Sequence, residues 1–279
     1  MSKNESGSLQ GISPVLKIAL WFTAMCFWWL MINLNQWEDT FQNYAFGLVF
    51  GCIPLVGGAL GLMNAKAWGG FGSVMGRATG LLSLGLLSWS LGSLIWAYYN
   101  FFGAIDIPYP SWADVAYIVS WPLWTWGAIE LSRATGARFS LRHRGGKLAL
   151  LTIPVAVIAA SYYLLVVVAR GGELVVADGG ALKTFFDLAY PIGDVVILSF
   201  ALVIFGLSLK YFGGRFKTSI LILLGGFVLN YFADFAFSWT TLNGTFYVAS
   251  WVDGLFMCAM TALAMGVVGL NPNVSIDES

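Results

Sequence analysis

The sequence predicts an all-α, polytopic integral membrane protein, a bundle of eight transmembrane helices with both termini on the cytoplasmic side. Three observations predict it. Apolar runs long enough to cross a bilayer fill almost all of the 279 residues. Charged residues make up only 10% of the chain, where a soluble domain carries roughly a quarter, and the mean hydropathy is +0.78. The Lys and Arg residues, finally, crowd into alternate connections between the runs.

A transmembrane helix needs about 20 apolar residues, which places spans at 15–34, 44–63, 79–100, 113–132, 148–169, 184–208, 218–239 and 246–269. The first dozen residues include Glu5, and the run Val15 to Leu34 is too long for the apolar part of a cleaved signal, so the first span is expected to stay. The connection after it carries Glu38 and Asp39; the next is flanked by Lys66 and Arg77. The third span ends among Trp96, Tyr98 and Tyr99, the fourth opens at Ser111 and Asp114, and the basic run Arg133 to Lys147 precedes the fifth. With the N-terminus inside, Lys3, Lys17, Lys66, Arg77, Arg133, Arg138, Arg142, Arg144, Lys147, Lys210, Arg215 and Lys217 are cytoplasmic. Only Arg170 and Lys183 of the 14 basic residues fall outside, so the positive-inside rule selects an even number of spans and an N-in orientation. The expected domains are a cytoplasmic tail 1–14, a transmembrane domain 15–270 and a cytoplasmic tail 271–279 too short to fold alone.

Several classes of function are not expected. There is no P-loop, no GxSxG and no metal-ligand cluster, so the chain does not read as an enzyme. Cys26, Cys52 and Cys258 lie inside spans at no metal-like spacing, and His143 sits in a connection, so no metal and no cofactor is expected. No lysine lies mid-span, which removes the attachment point for a retinal Schiff base. Zero net charge offers no steering toward nucleic acid. The lipid bilayer itself is the one certain environment, with a protein partner expected inside the membrane or on its cytoplasmic side.

What stands out is a tetrapeptide of Asp, apolar, Ala and aromatic residues that occurs three times near one membrane face: Asp114 to Tyr117, Asp187 to Tyr190 and Asp234 to Phe237. Asp253 adds a fourth carboxylate at that face, and Asp194, seven residues beyond Asp187, lies about 10 Å deeper on the same helical face. Charges at mid-bilayer depth cost about 2.5–3.5 kcal/mol each on insertion scales. Capping explains Asp114, three residues after Ser111 at a helix start. It could explain Asp187 and Asp253 as well, but not Asp234, at the negative end of its helix, nor Asp194, which is mid-span. Asn230 shares a face with Asp234. Pro191 leaves the carbonyl of Asp187 without its helical donor, and Pro122 does the same to Ile118. The candidate ligand-binding set is therefore Asp187, Tyr190, Asp194, Asn230, Asp234, Trp251 and Asp253, with Ser111, Asp114, Pro122 and Pro191 as structural residues. Two carboxyls meeting in a low dielectric disfavour double ionisation, so one of Asp194 and Asp234 is expected to hold a proton at neutral pH. Most interfacial aromatics, among them Trp37, Trp96, Tyr98, Tyr99, Tyr109, Trp112, Trp239 and Trp251, read as a membrane belt. A minority beside the aspartates could attract an organic cation. Gly57/Gly61 and Ser88/Gly92 have the spacing of close helix contacts.

The stretches Trp96-Ala-Tyr-Tyr, Ile107 to Tyr117, Trp121-Pro-Leu, Asp187 to Asp194, Ala233-Asp, Gly244-Thr-Phe-Tyr and Ser250 to Asp253 resemble a multi-span membrane sensor region found in bacterial and archaeal signalling proteins. There it precedes cytoplasmic PAS, histidine kinase, diguanylate cyclase or phosphodiesterase domains. The likeness covers spans three to eight and implies a stand-alone sensory or scaffold module acting through a partner. Intramembrane aspartates and proline-broken helices equally suit a small transporter or ion pathway, or an accessory subunit of a larger membrane complex.

The charge pattern makes a direct prediction. Cysteines introduced at positions 40, 105, 175 and 243 should react with an impermeant reagent on intact cells, whereas those at 70, 140 and 213 should react only after lysis. External labelling at 140 would reverse the topology.

Overall fold

The computed structural model describes residues 13–102, 108–134, 144–168, 170–173, 180–208 and 216–273. Every regular element among them is helical. The order is α1 (Pro14–Leu34), α2 (Phe41–Ala67), a 3-10 turn (Gly70–Gly72), α3 (Val74–Phe102), α4 (Trp112–Ala134), α5 (Arg144–Ser161) running on as a π-helical segment (Tyr162–Val168), α6 (Gly180–Ser208), α7 (Lys217–Leu242) and α8 (Trp251–Gly269). Lys3, Arg138, Arg142, His143, Lys210 and Arg215, and positions 105, 140, 175 and 213, lie outside the described residues.

Local chemistry starts the helices. Ser13 Oγ accepts the N–H of Leu16 at 3.2 Å, with Pro14 in the first helical position of α1. Asn43 Oδ1 accepts the N–H of Thr40 at 3.2 Å at the head of α2, and Ser73 Oγ takes that of Gly76 at 2.9 Å before α3. Among the described residues, seven helices are long and apolar enough to cross a membrane. The predicted fourth span does form a helix, α4, of sufficient length, but it is not among the seven. Its tryptophans, Ser120, Asp114 and Glu130 dilute its apolar content; Trp121, Trp124, Ser120, Asp114 and Glu130 are buried, whereas Trp112 and Trp126 are exposed.

Between helices in lipid, apolar area supplies little drive, and close backbone approach takes its place. A Cβ on Gly57 or Gly61 would collide with Ala264 or Val267 of α8, and one on Gly85 with the ring of Trp124. Gly92 fits under Tyr117, and Ser88 Oγ donates to the carbonyl of Ala116 at 2.7 Å. Both small-residue pairs thus serve contacts inside the bundle, α2 on α8 and α3 on α4.

Side-chain amides and indoles tie the helix ends. At the end holding the start of α1 and the finish of α8, Asn64 Nδ2 and Trp68 Nε1 donate to the carbonyls of Val268 and Leu270 at 2.9 and 2.8 Å. Buried Glu130 there accepts from Arg77 at 3.2 Å and from Arg133, joining α3 to α4. At the opposite end, Asn43 Nδ2 reaches Val248 O at 2.8 Å, Asn33 Nδ2 reaches Ala249 O at 3.2 Å, and Trp29 Nε1 reaches Ser250 O at 3.0 Å. The α7–α8 connection is therefore pinned by α1 and α2, although Ala249 sits at a left-handed φ of 66°.

Gly225 and Gly226 isolate the packing effect. A Cβ on Gly225 meets nothing within 4 Å, whereas one on Gly226 would lie 2.8 Å from the Leu263 side chain and 3.0 Å from its backbone nitrogen. Gly225→Ala should be neutral or stabilise by up to about 1 kcal/mol. Gly226→Ala should destabilise by about 1–3 kcal/mol, both read from thermal unfolding of the purified protein in detergent.

Candidate functional site: an acidic cavity walled by aromatic rings

A cavity of about 90 Å³ opens in the half of the bundle opposite the termini. Its carboxylates come from the starts of two helices and the end of a third. Asp114 stands in the first turn of α4, Asp253 in the first turn of α8 and Asp234 in the last turns of α7. Rings close the walls: Phe50 from α2, Trp89 and Trp96 from α3, Tyr117 and Trp121 from α4, Tyr190 from α6, and Phe237, Phe246 and Phe256 from α7, its connection and α8.

The rings hold one another. Trp89 packs on Phe50, Tyr117 and Phe256 with centroids at 5.6, 5.3 and 5.9 Å. Phe237 meets Phe246 at 4.8 Å and Trp96 at 6.1 Å, both edge-on. Trp121 meets Tyr190 edge-on at 5.0 Å, and Gly193 of α6 makes room for the Trp121 ring, since any Cβ there would strike it. Such pairs contribute about 0.5–1.5 kcal/mol each beyond area, so the cavity is walled by a mutually braced set.

Asp114 caps α4, as its position after Ser111 predicts, and has a second duty. Its Oδ2 accepts the Ser111 N–H and hydroxyl at 2.7 and 2.8 Å, while Oδ1 accepts the Tyr190 hydroxyl at 2.7 Å. One carboxylate thereby starts α4 and clamps α6 to it. Asp253 Oδ2 accepts the Ala249 N–H at 2.6 Å, which supports the strained residue before α8.

Asp194 and Asn230 do not line the cavity; they stand behind Asp234. Asn230 Nδ2 donates to Asp234 Oδ2 at 2.7 Å, and the carboxyl of Asp194 lies beside that of Asp234. Asp194 and Asn230 are almost fully buried, and Asp194 Oδ1 and Asn230 Oδ1 have no further partner among the described residues. Nearby, Tyr231 donates to Ser161 Oγ at 2.8 Å across α7 and the end of α5.

Two candidate residues stand apart. Asp187 lies two turns into α6, because the helix begins at Gly180, so it is not a cap. Its Oδ1 accepts the Tyr109 hydroxyl at 2.9 Å, and the carbonyl freed by Pro191 is taken by Arg170 at 2.8 Å. Burial and the Asp187 carboxylate push the Tyr109 hydroxyl well above its ordinary range, which keeps it a donor. Trp251 is half-exposed and absent from the cavity wall, in keeping with a membrane belt. Pro122 is exposed on a groove between α4 and α6 and does not line the cavity.

Most of the aromatic wall escaped the candidate set, and Trp96, read as belt, lines the cavity instead. The signal was present in the repeat. In Asp114/Tyr117 and Asp234/Phe237 both members line the cavity, and Asp253/Phe256 repeats that spacing. Residues three apart share a helix face, so each aspartate brings its own ring.

No protein-family model, no curated protein and no solved structure matches this chain.

Capping alone would leave Asp114→Asn almost silent. With both oxygens accepting, an asparagine must turn its NH2 toward a donor, so the variant should lose about 1 kcal/mol. Tyr190→Phe should lose a similar amount, and the double variant less than the sum, in a thermal-unfolding double-mutant cycle.

Proposed function

We propose that this chain is a membrane sensory module. Eight spans set both termini in the cytoplasm, the cavity in the outer leaflet receives a ligand, and the outcome passes to a partner protein. The cavity carries this reading: carboxylates from three helices, with the Tyr190 ring of a fourth, surround one small space, so an occupant touches α4, α6, α7 and α8 together. A ligand that binds one arrangement of those helices better than another shifts their populations, which is what a sensor requires. The positive-inside charge pattern supports the orientation, and α4 supports its place as a span by lying between α3 and α6.

A transporter is the second reading, favoured by Asp194, a buried carboxyl that extends the polar path from the cavity wall into the interior. Flux separates the two. Proteoliposomes of the purified chain should show no accumulation of labelled ligand, whereas crosslinking in native membranes should capture a stoichiometric partner on the cytoplasmic connections. Filling the cavity with Ala97→Phe should change that crosslinking pattern; solute accumulation by proteoliposomes would transfer the assignment to transport.

The Asp194–Asp234 contact also has a charge requirement. Two carboxyls side by side away from water disfavour double ionisation, so one of the pair is expected to hold a proton. We expect a protonated-carboxyl infrared band near neutral pH that disappears in Asp194→Asn or Asp234→Asn. Its persistence in both variants would remove the shared proton.

A further inference from the structure

We propose that the cavity binds a small organic ammonium cation. This rests on the cavity's being the ligand site, and names the class of ligand.

The argument begins with charge. Asp114, Asp234 and Asp253 line the space and, among the described residues, no lysine or arginine does; Arg170 is engaged at the carbonyl of Asp187. Carboxylates withdrawn from water need a proton or a cation as partner, so an occupant bearing positive charge gains what a neutral one does not. The donor set then excludes a bare metal ion. Hard divalent cations take six or more oxygens. Here both oxygens of Asp114 are taken by Ser111 and Tyr190, one of Asp253 by Ala249 and one of Asp234 by Asn230. What the site offers in abundance is ring surface, from nine aromatic side chains. Ring faces attract alkylammonium groups at about 0.5–2 kcal/mol each, the larger value where water is excluded. Size agrees: a cavity of about 90 Å³, at roughly 10–15 Å³ per water on that measure, suits a compact head group.

The test compares two probes of one shape. Choline carries a quaternary nitrogen where 3,3-dimethylbutan-1-ol has a carbon. Titration calorimetry on the full chain in nanodiscs should show choline binding at least about tenfold tighter than the alcohol. Asp253→Asn should remove most of that preference, and Trp96→Leu should weaken choline several-fold; thermal unfolding reports whether each variant is folded. Ala97→Phe should abolish choline binding, and Asn100→Trp at the end of α3 serves if that variant loses its cooperative transition. Equal affinity for both probes, each lost on filling the cavity, would overturn the cation class while leaving the cavity a ligand site. Choline binding that survives filling would overturn the assignment to the cavity itself. Absence of choline binding to the folded chain would overturn the inference.

Discussion

An apolar interior offers polar groups no water, and that constraint orders this structure. A buried polar group left unsatisfied costs about 1–3 kcal/mol. The bundle answers it at its weakest points, the helix ends and the proline-broken turns. Asn43, Asn33 and Trp29 donate to consecutive carbonyls of the α7–α8 connection, Asn64 and Trp68 to those of Val268 in the last turn of α8 and Leu270 just after it, and Arg170 takes the acceptor that Pro191 strands. Each bond ties one segment of the chain to another through a backbone carbonyl. The cavity is a by-product of that order, because Asp253, Phe246 and Val248 reach its wall only through a connection held from both sides.

The aspartates at this end of the bundle divide their tasks according to depth. Asp114 and Asp253 sit in first turns and spend part of their accepting capacity on local backbone, which makes them tolerable in an apolar setting. Asp234 gains nothing from its own helix dipole and is held instead by Asn230 and Asp194. Asp194, deepest of the group, stands beside the Asp234 carboxyl and within reach of the Arg170 charge. A polar gradient therefore runs from capped carboxylates at the cavity to a carboxyl pair behind it. Asp187, which shares the tetrapeptide but not the site, shows that the motif alone does not place a side chain: α6 starts at Gly180, about one turn earlier than the span its apolar pattern predicts.

Periodicity and composition made the helices legible, together with the small-residue seams and the roles of Asp114 and Asn230, because each depends on neighbours within one turn. Gly57 and Gly61 announce close approach to some helix. That the helix is α8, two hundred residues away, is not written in them. Trp251 and Trp96 carry the same local signature of an aromatic near a membrane face, yet one is half-exposed and the other lines the cavity. Their difference lies in helix rotation, which nearest neighbours in sequence do not encode.

By itself, the sequence determined that the chain is helical and apolar enough for a membrane, which ends carry the basic residues, and which aspartates cannot be caps; these are properties of single helices and of charge counted along the chain. Tertiary structure alone decided that Asp114, Asp234 and Asp253 face one space, that nine rings brace it, and that Asp194 lies behind Asp234 rather than within the cavity. The reason is physical. A helix face is fixed by a period of 3.6 residues, but the face it meets is selected by packing and by distant hydrogen bonds such as Tyr190 to Asp114, which no local pattern can specify.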